Sequence, residues 1–342
     1  MRAPRRLRRI ADSGTSKPQQ GAATTGMLWL RGLFQSHLDL AFAPARGVRA
    51  RIVDRPGLWM APAAMEKLVT DIRAVASETL PAGQLNYGVL GGDPERLKAS
   101  VLTIIYDAET RAPIAFNALA WMPMSLRGRA VDVLHMGLVM VSPTARSQGL
   151  SWILYGLTCF LLFARGGMRP IWISNVTQVP AVVGMVTESF AHVYPTPDEA
   201  PQTFEHLLIA RQIMRHHRHV FGVGADAGFD EAHAVITNAY TGGSDDLKKT
   251  FEQATKHRQA KYNDLCARLL DYARGDDILQ VGQVNMTAAQ KYAFTEVPRD
   301  SLPGLVLSGG FLGLQSVFLP LLHWLDAKKP WGSLRPWRSA RS

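Results

Sequence analysis

The loop at residues 146–151 has the most specific chemical pattern in the sequence. An apolar run that predicts a strand ends at Val141, Pro143 follows, and an apolar helix pattern begins directly after the loop. The first amides of a helix lack intrahelical partners and carry partial positive charge, and glycine allows close approach of a ligand to the backbone. We therefore expect an anion site here, suited to a pyrophosphate. Its expected binding residues are Arg146, Ser147, Gln148, Gly149, Leu150 and Ser151.

His135 is the residue best suited to exchange a proton near neutral pH. It lies six residues before Val141 on the same predicted strand. An unperturbed imidazole has a pKa of about 6.5, which fits a general base between about pH 6 and 8. The alternative is a histidine that is buried and hydrogen-bonded within the sheet. Asp132 is the second candidate base, although strand alternation places it on the opposite face.

Three polar residues interrupt otherwise apolar strand patterns: Asn117, Ser174 and Asn175. Buried polar groups require hydrogen-bond partners. These side chains are therefore expected either to line a substrate cleft or to satisfy the sheet itself.

The elements that must position these residues follow from the apolar periodicity. Helical spacing predicts a helix over 65–75 and another over 179–190, in addition to the apolar helix after residue 151. Strand patterns occupy 48–53, 101–107, 113–124, 131–141, 171–174 and 191–195. This order predicts a mixed α/β unit with an antiparallel first half and a βαβ second half. Residues 201–300 are predicted to be a helical extension, with one long helix over 245–274.

The loop and its flanking elements resemble the GNAT superfamily of acyl-CoA N-acyltransferases. The family signature is a strand ending in V-x-P, then Gln or Arg-x-x-Gly-x-Gly or Ala, then a helix. Val141, Pro143, Arg146 and Gly149 match this signature, and Ser151 replaces its last small residue. The resemblance covers about residues 95–196 and implies a GNAT-like mixed sheet with flanking helices.

A second motif of the family falls on the helix over 179–190. It reads Asn-x-x-Ala-x-x-x-Tyr-x-x-x-Gly-Phe, and Ala181 and Phe190 match it. Gln178, Met185 and Ser189 replace the Asn, the Tyr and the Gly. The family tyrosine often serves as general acid for the departing thiolate. Met185 therefore occupies the predicted position of the acid, with a side chain that has no proton to donate.

The resemblance implies an acyltransferase with an acyl thioester as donor, either acyl-CoA or acetyl-CoA, or an acyl carrier protein. The thioester would lie beside Val139 and Val141, between the strands 131–141 and 171–174, with its pyrophosphate at the loop. The acceptor would be an amine of unknown identity, and the backbone near 137–139 would bind the oxyanion. The alternative is a non-catalytic, membrane-associated binding or scaffold protein on a degenerate GNAT fold.

Composition limits the partners. The chain has 342 residues, of which 47% are hydrophobic, and a formal net charge of +10. It has enough apolar residues to bury a sizeable core, and its charge favours anionic partners, including an anionic membrane surface. A nucleic-acid partner is not expected, because no long basic stripe is interleaved with aromatic residues. Cys159 and Cys266 lie in apolar helical contexts. This predicts that both are buried free thiols and that the protein resides in the reducing cytoplasm.

No metal site is expected. Five histidines raise the question of a metal: His206, His216, His217, His219 and His233. They lack a carboxylate or cysteine at ligand spacing, so a solvated basic face explains them better. The glycine-rich stretch 222–228 follows no strong strand and is interpreted as a loop. The sequence has no GxSxG, HExxH or P-loop lysine motif.

The termini differ from the rest of the chain. Residues 1–26 are expected to be an unstructured basic tail, followed by an acyltransferase domain over 27–200, the extension over 201–300 and an apolar segment with a basic tail over 301–342. Residues 301–325 carry no charge, and five cations and two tryptophans follow. That pattern predicts contact with a membrane. Its prolines and glycines favour a re-entrant or interfacial hairpin, or an arm buried against the core.

Overall fold

A single mixed sheet dominates the molecule. The computed structural model describes residues 37–80, 88–146, 148–198, 200–242 and 247–324, with side chains up to residue 318. The strands are β1 (Asp39–Ala45), β2 (Val48–Asp54), β3 (Ser100–Asp107), β4 (Pro113–Leu126), β5 (Arg129–Val141), β6 (Ile171–Thr177), β7 (Ala191–Tyr194), β8 (Gly228–Asp230), β9 (Val235–Thr237) and β10 (Asp277–Val284). Within the described residues the strand order is β1-β2-β3-β4-β5-β6-β10-β9-β8, and β7 pairs with β10.

Helices cover both faces of the sheet. They are α1 (Pro62–Ser77), α2 (Pro94–Leu97), α3 (Thr158–Arg165), α4 (Pro180–Ser189), α5 (Phe204–Gln212), α6 (Ala260–Leu269), α7 (Met286–Lys291) and α8 (Leu302–Trp324). Strand alternation separates the two faces: Ile104 packs in the core cluster of α1, whereas Ile105 packs in that of α3. We call the first face, which α1 and α5 cover, the α1 face, and the second the α3 face.

The apolar helix pattern after residue 151 is buried, as predicted. A π-helical turn, Trp152–Leu157, begins it and α3 continues it. Trp152, Leu154 and Leu161 lie in the same core cluster as Leu305 and Leu312 of α8. The helix lies between the sheet and α8, which explains why its sequence is apolar almost all round.

The predicted α/β class and the predicted elements between β2 and β7 are confirmed, with small changes at their ends. The pairs from β1 to β5 are antiparallel, and β5–β6 is parallel. Both cysteines are buried free thiols, as predicted.

The prediction that residues 201–300 form a helical extension is wrong, because this region also contributes strands to the sheet. Residues 201–300 supply β8, β9 and β10, and β10 pairs with β6 along seven residues. The single helix predicted over 245–274 is also wrong: within its described part the α-helix is Ala260–Leu269. The domain limits themselves stay predictions.

Two further segments differ from expectation. Asp39–Ala45, where the apolar periodicity predicted no strand, forms strand β1 at the edge of the sheet. The apolar segment from 301 is one continuous helix, α8, rather than a hairpin. Pro303 lies in its first turn, where a missing amide donor costs no hydrogen bond. The predicted basic tails and Ser147 lie outside the described residues.

Candidate functional site

The parallel strands β5 and β6 form a fork. They pair over Val133–Met136 of β5 and Trp172–Asn175 of β6, and β5 then continues to Val141 without a partner in β6. Among the residues that the structure describes, the backbone groups on that side of β5 beyond Met136 therefore have no partner in a neighbouring strand. The fork opens toward the end of β5 that leads into the loop at 146–151.

A β-bulge lies at the start of the fork. The register between β4 and β5 shifts between the pairs Ala118↔Leu138 and Ala120↔His135. Gly137 lies inside this shift, and a Cβ on it would overlap the carbonyl oxygen of Ala118. Glycine is needed here because β4 approaches so closely. A bulge turns backbone amides out of the ladder, so this point of β5 can present a donor to a ligand.

The fork borders a cleft on the α1 face of the sheet. The cleft is open to solvent, and it offers about 200 Å³ to the centres of water-sized molecules. Its floor comes from β4 and β5, and its far wall from the turns that follow α5 and β9. Its lining includes His135, Gly137, Phe221, Tyr240 and Asp277.

His135 lies at the cleft, where the sequence analysis predicted a base. It is 3% exposed, and its Nδ1 lies 3.0 Å from Ser174 Oγ. Its Nε2 has no hydrogen-bond partner among the described residues. Burial lowers the pKa of the imidazole to about 4. His135 is therefore neutral between pH 6 and 8. The sequence predicted that this imidazole exchanges a proton in that range, but burial moves its titration to a lower pH.

Ser174 and Asn175 lie on opposite faces of β6. Ser174 is fully buried on the α1 face, where its hydroxyl holds the ring of His135. Asn175 donates a hydrogen bond to Oε1 of Gln280 on β10, at 3.3 Å. Ser174 thus positions a residue of the cleft, whereas Asn175 forms a buried hydrogen bond with a neighbouring strand of the sheet.

Asn117 does not line the cleft, and of its two expected roles it has the structural one, within the sheet. It is fully buried on the α3 face and accepts a hydrogen bond from the Thr103 amide at 3.2 Å. Its Nδ2 donates to the carbonyl of Leu154, inside the π-helical turn. In a π turn the backbone hydrogen bonds join residues five apart instead of four, which changes which carbonyls accept them. Asn117 therefore ties β4 to the start of the helix.

Asp132, the second candidate base, is engaged elsewhere. Its carboxylate accepts a hydrogen bond from Arg55 at 2.9 Å in an exposed ion pair. It is not among the residues that line the cleft. The cleft therefore receives His135 from β5 and not Asp132.

Asp277 and Tyr240 are functional candidates that the sequence analysis missed. Both line the cleft, and the Tyr240 hydroxyl donates to Asp277 Oδ1 at 3.0 Å. Asp277 is 5% exposed, and burial raises the pKa of its carboxyl to about 7. The Tyr240 hydroxyl in turn accepts a hydrogen bond from Gln178 Nε2 at 2.5 Å. Buried carboxyls with raised pKa values occur preferentially at functional sites.

The predicted anion loop has an open geometry. Gly149 has a φ of +71°, and a Cβ on it would meet no atom within 4 Å. Arg146 and Ser151 are exposed, and Arg146 makes no ion pair within the described part of the chain. Leu150 is buried with its side chain in the core. Gln148 donates to the carbonyl of Thr144 at 3.2 Å. The described part of the loop thus exposes an arginine and a glycine with positive φ directly before the start of a helix.

Val139 and Val141 belong to the β5 segment beyond the fork. Their side chains pack against the core cluster of the α3 face, so what they can offer a ligand is the unpaired backbone of β5. Met185 of α4 is partly buried against the same cluster and does not line the cleft. The structure thus brings His135 and the β5 backbone together and leaves Met185 apart from them.

No cluster of three or more His, Cys, Asp or Glu able to hold a metal occurs among the described residues. A comparison of the sequence with protein-family models and with curated proteins finds no match.

Proposed function

We propose that this protein is an acyltransferase that moves an acyl group from an acyl thioester to an amine. The observation that carries the proposal is the fork between β5 and β6. It lies between the anion loop, which precedes the helix of the α3 face, and a cleft on the α1 face that holds proton-transfer groups. This arrangement suits a long donor with a pyrophosphate at one end and a reactive thioester at the other, such as acyl-CoA or acetyl-CoA.

The cleft residues supply the steps of such a transfer. The amine nitrogen attacks the thioester carbonyl carbon, and the bulge backbone at Gly137 donates to the developing oxyanion. The carboxylate of Asp277, with a pKa near neutrality, takes the proton from the nitrogen. The carbon–sulfur bond then breaks, and the departing thiolate receives a proton. Tyr240 gives this proton, which Met185 cannot supply, and the protonated Asp277 returns a proton to Tyr240 through their hydrogen bond. The net result is that the proton of the amine ends on the sulfur.

His135 has a positioning role in this proposal. Its neutral ring is fixed by Ser174 on one side and lies 4.9 Å from the ring of Phe221 on the other. In this role Nε2 accepts a hydrogen bond from the amine. The bond orients the amine so that the lone pair of its nitrogen points at the thioester carbonyl. A pKa of about 4 makes this ring a weaker proton acceptor than Asp277 near neutral pH.

The anion loop gives the first test. Gly149→Val should abolish acyl-CoA binding measured by calorimetry, because valine strains a positive φ and blocks the backbone. Gly167→Val is the matched control, since Gly167 has a φ of +70° and equally open surroundings. Arg146→Ala should cost about 1.5–3 kcal/mol of binding free energy through loss of a charge-assisted contact, whereas the exposed Arg169→Ala should not.

The second candidate function is a non-catalytic binding or scaffold protein. The observation that favours it is Met185, which packs in the core at the position where the resemblance expects a general acid. Binding of acyl-CoA without release of free thiol in the presence of amines would support this candidate. Equal acyl-CoA affinities for Gly149→Val, Gly167→Val and the parent chain would contradict both candidates in their present form.

A further inference from the structure

The outward face of α8 is unusually apolar. Every third or fourth residue of the helix region faces the body of the protein, and these residues are at most 6% exposed: Ser301, Leu305, Ser308, Leu312 and Gln315. The opposite side carries large apolar residues that are 45–70% exposed. We call it the α8 outer face, and it comprises Val306, Leu307, Leu314, Val317 and Phe318.

The polarity of α8 is the reverse of that of a water-exposed helix. A surface helix normally buries its apolar stripe and exposes polar residues. In α8, Ser308 and Gln315 are 2% and 3% exposed, whereas Val306 and Leu307 are 70% and 64% exposed. A contiguous exposed apolar surface is typical of a protein or membrane interaction site. The outer face is therefore built for an apolar neighbour.

The helix cannot cross a membrane without opening the core. The stretch Arg299–Phe318 is long and apolar enough for a span, with a mean hydropathy of 1.3, but a third of it is buried. Leu305 and Leu312 belong to the main core cluster, and Gly309 lies against the ring of Phe160 on α3. A helix held in this way along its inner side can meet a bilayer only lengthwise, with its outer face in the interfacial region.

Charge favours lipid over a second copy of the chain as the occupant. The chain has a net charge of +10, and the residues that follow α8 include five cations: Lys328, Lys329, Arg335, Arg338 and Arg341. Two copies that met through α8 would each carry this net charge and repel each other. An anionic membrane surface attracts each such cation by about 1 kcal/mol. Trp331 and Trp337 in the same stretch are residue types enriched at the headgroup level.

We propose that the α8 outer face docks lengthwise into the interfacial layer of an anionic lipid bilayer, to which the net positive charge of the chain attracts it. This inference is independent of the acyltransferase proposal. The apolar face supplies the hydrocarbon contact and the basic sequence supplies the preference for anionic lipid. Either signal alone gives weaker attachment than the two together.

Vesicle flotation of the full chain tests the proposal. The parent protein should float with phosphatidylcholine vesicles that contain phosphatidylserine, and less with phosphatidylcholine alone. The double variant Leu307→Gln, Leu314→Gln should bind the anionic vesicles at least about tenfold more weakly, because two side chains lose their transfer into hydrocarbon. The matched control is Leu58→Gln, Met168→Gln, whose positions are 61% and 58% exposed elsewhere on the surface.

The outcomes separate the occupants. Loss of flotation in the α8 variant alone, with an unchanged thermal unfolding midpoint, supports the proposal. Equal flotation of the parent and the α8 variant overturns it, and so does a parent chain that never floats. A parent dimer in sedimentation velocity that the α8 variant dissociates, with no binding to vesicles, would assign the face to a second copy and also overturn it.

Discussion

At the residue scale, Asp277 is the most unusual side chain of the site. Its carboxylate accepts a hydrogen bond from the Tyr240 hydroxyl, and the neighbouring Asp276 adds a like charge. Burial is the largest cause of its raised pKa, because removing water disfavours the carboxylate. A buried carboxyl group whose ionisation lowers the stability of the fold is expected where function requires that group.

Asp277 therefore predicts a specific dependence of stability on pH. Its pKa is about 7 in the folded state and about 3.9 in an unfolded chain. The folded protein binds more protons between these values, so this residue makes stability fall as pH rises from about 4 to 7. Asp277→Asn stays neutral and keeps an oxygen for Tyr240. It should be more stable than the parent by a few kcal/mol at pH 8, on the order expected from such a shift.

Urea unfolding at pH 4.5 and pH 8 measures this difference. The gain from Asp277→Asn should be small at pH 4.5, where the parent carboxyl is already protonated in the fold. Asp264→Asn, which changes an exposed carboxylate on α6, should show little change at either pH. A gain of the same size at both pH values would show that the carboxylate is not the source of the effect.

The sequence pattern located His135 but not Asp277, for a physical reason. His135 lies within a long, regular apolar strand, so its polarity was conspicuous. Asp277 follows Gly275 and Asp276, a combination typical of a turn, and its burial depends on pairing with β6. Residues 278 and 177 are about a hundred positions apart, and a local pattern does not report that contact.

At the element scale, the π-helical turn shows how the helix of the α3 face is fixed. The Tyr292 hydroxyl donates to the carbonyl of Trp152 at 2.8 Å, and its ring lies over Gly156. Asn117 binds the carbonyl of Leu154 from the other side. The turn between the anion loop and α3 is therefore clamped by two side chains distant in sequence, which orients the helix start.

Gly156 tests this clamp. A Cβ on Gly156 would overlap the Tyr292 ring, so Gly156→Ala should destabilise the protein by about 1–3 kcal/mol through overpacking. Gly310→Ala on α8 is the matched control, because a Cβ there meets no atom within 4 Å. Alanine is a better helix former than glycine, so the control should be neutral or slightly stabilising. Denaturant unfolding of both variants would measure the difference, and a destabilised control would argue against the steric explanation.

The elements themselves were predictable to different degrees. Strands from β2 to β7 have apolar or alternating patterns bounded by turn residues, and the sequence pattern located each of them. β10 (Asp277–Val284) contains Gln280, Gly282 and Gln283, which hide its strand character. Gln280 is buried because it bonds Thr187 at 3.1 Å and Pro195 at 3.2 Å across the sheet. Its partners come from the tertiary fold, which the local sequence does not reveal.

At the scale of the whole molecule, β10 joins the two halves of the chain. It pairs with β6 on one side and with β9 and β7 on the other. Ile278 and Leu279 are fully buried on opposite faces of the sheet. Part of the core of the N-terminal half is therefore formed by residues that come after position 275.

This arrangement predicts that the segment up to residue 200 does not fold by itself. Without β10, β6 becomes an unpaired edge in the middle of an apolar sheet, and both faces around it lose covering side chains. Such an edge is also a site for aggregation. A chain that ends at residue 200 should show no cooperative urea transition and should be degraded rapidly by a protease.

A chain that ends at residue 325 is the control, because it keeps β10 and α8 and removes only the basic sequence that follows. It should unfold with the midpoint of the full chain. The parent transition should be single, since β10 makes the unfolding of the N-terminal half inseparable from that of the C-terminal half. A chain ending at residue 200 that unfolds cooperatively with a midpoint close to that of the parent would refute this coupling. It would also restore residue 200 as a true domain boundary, because the core around β6 would then be complete without β10.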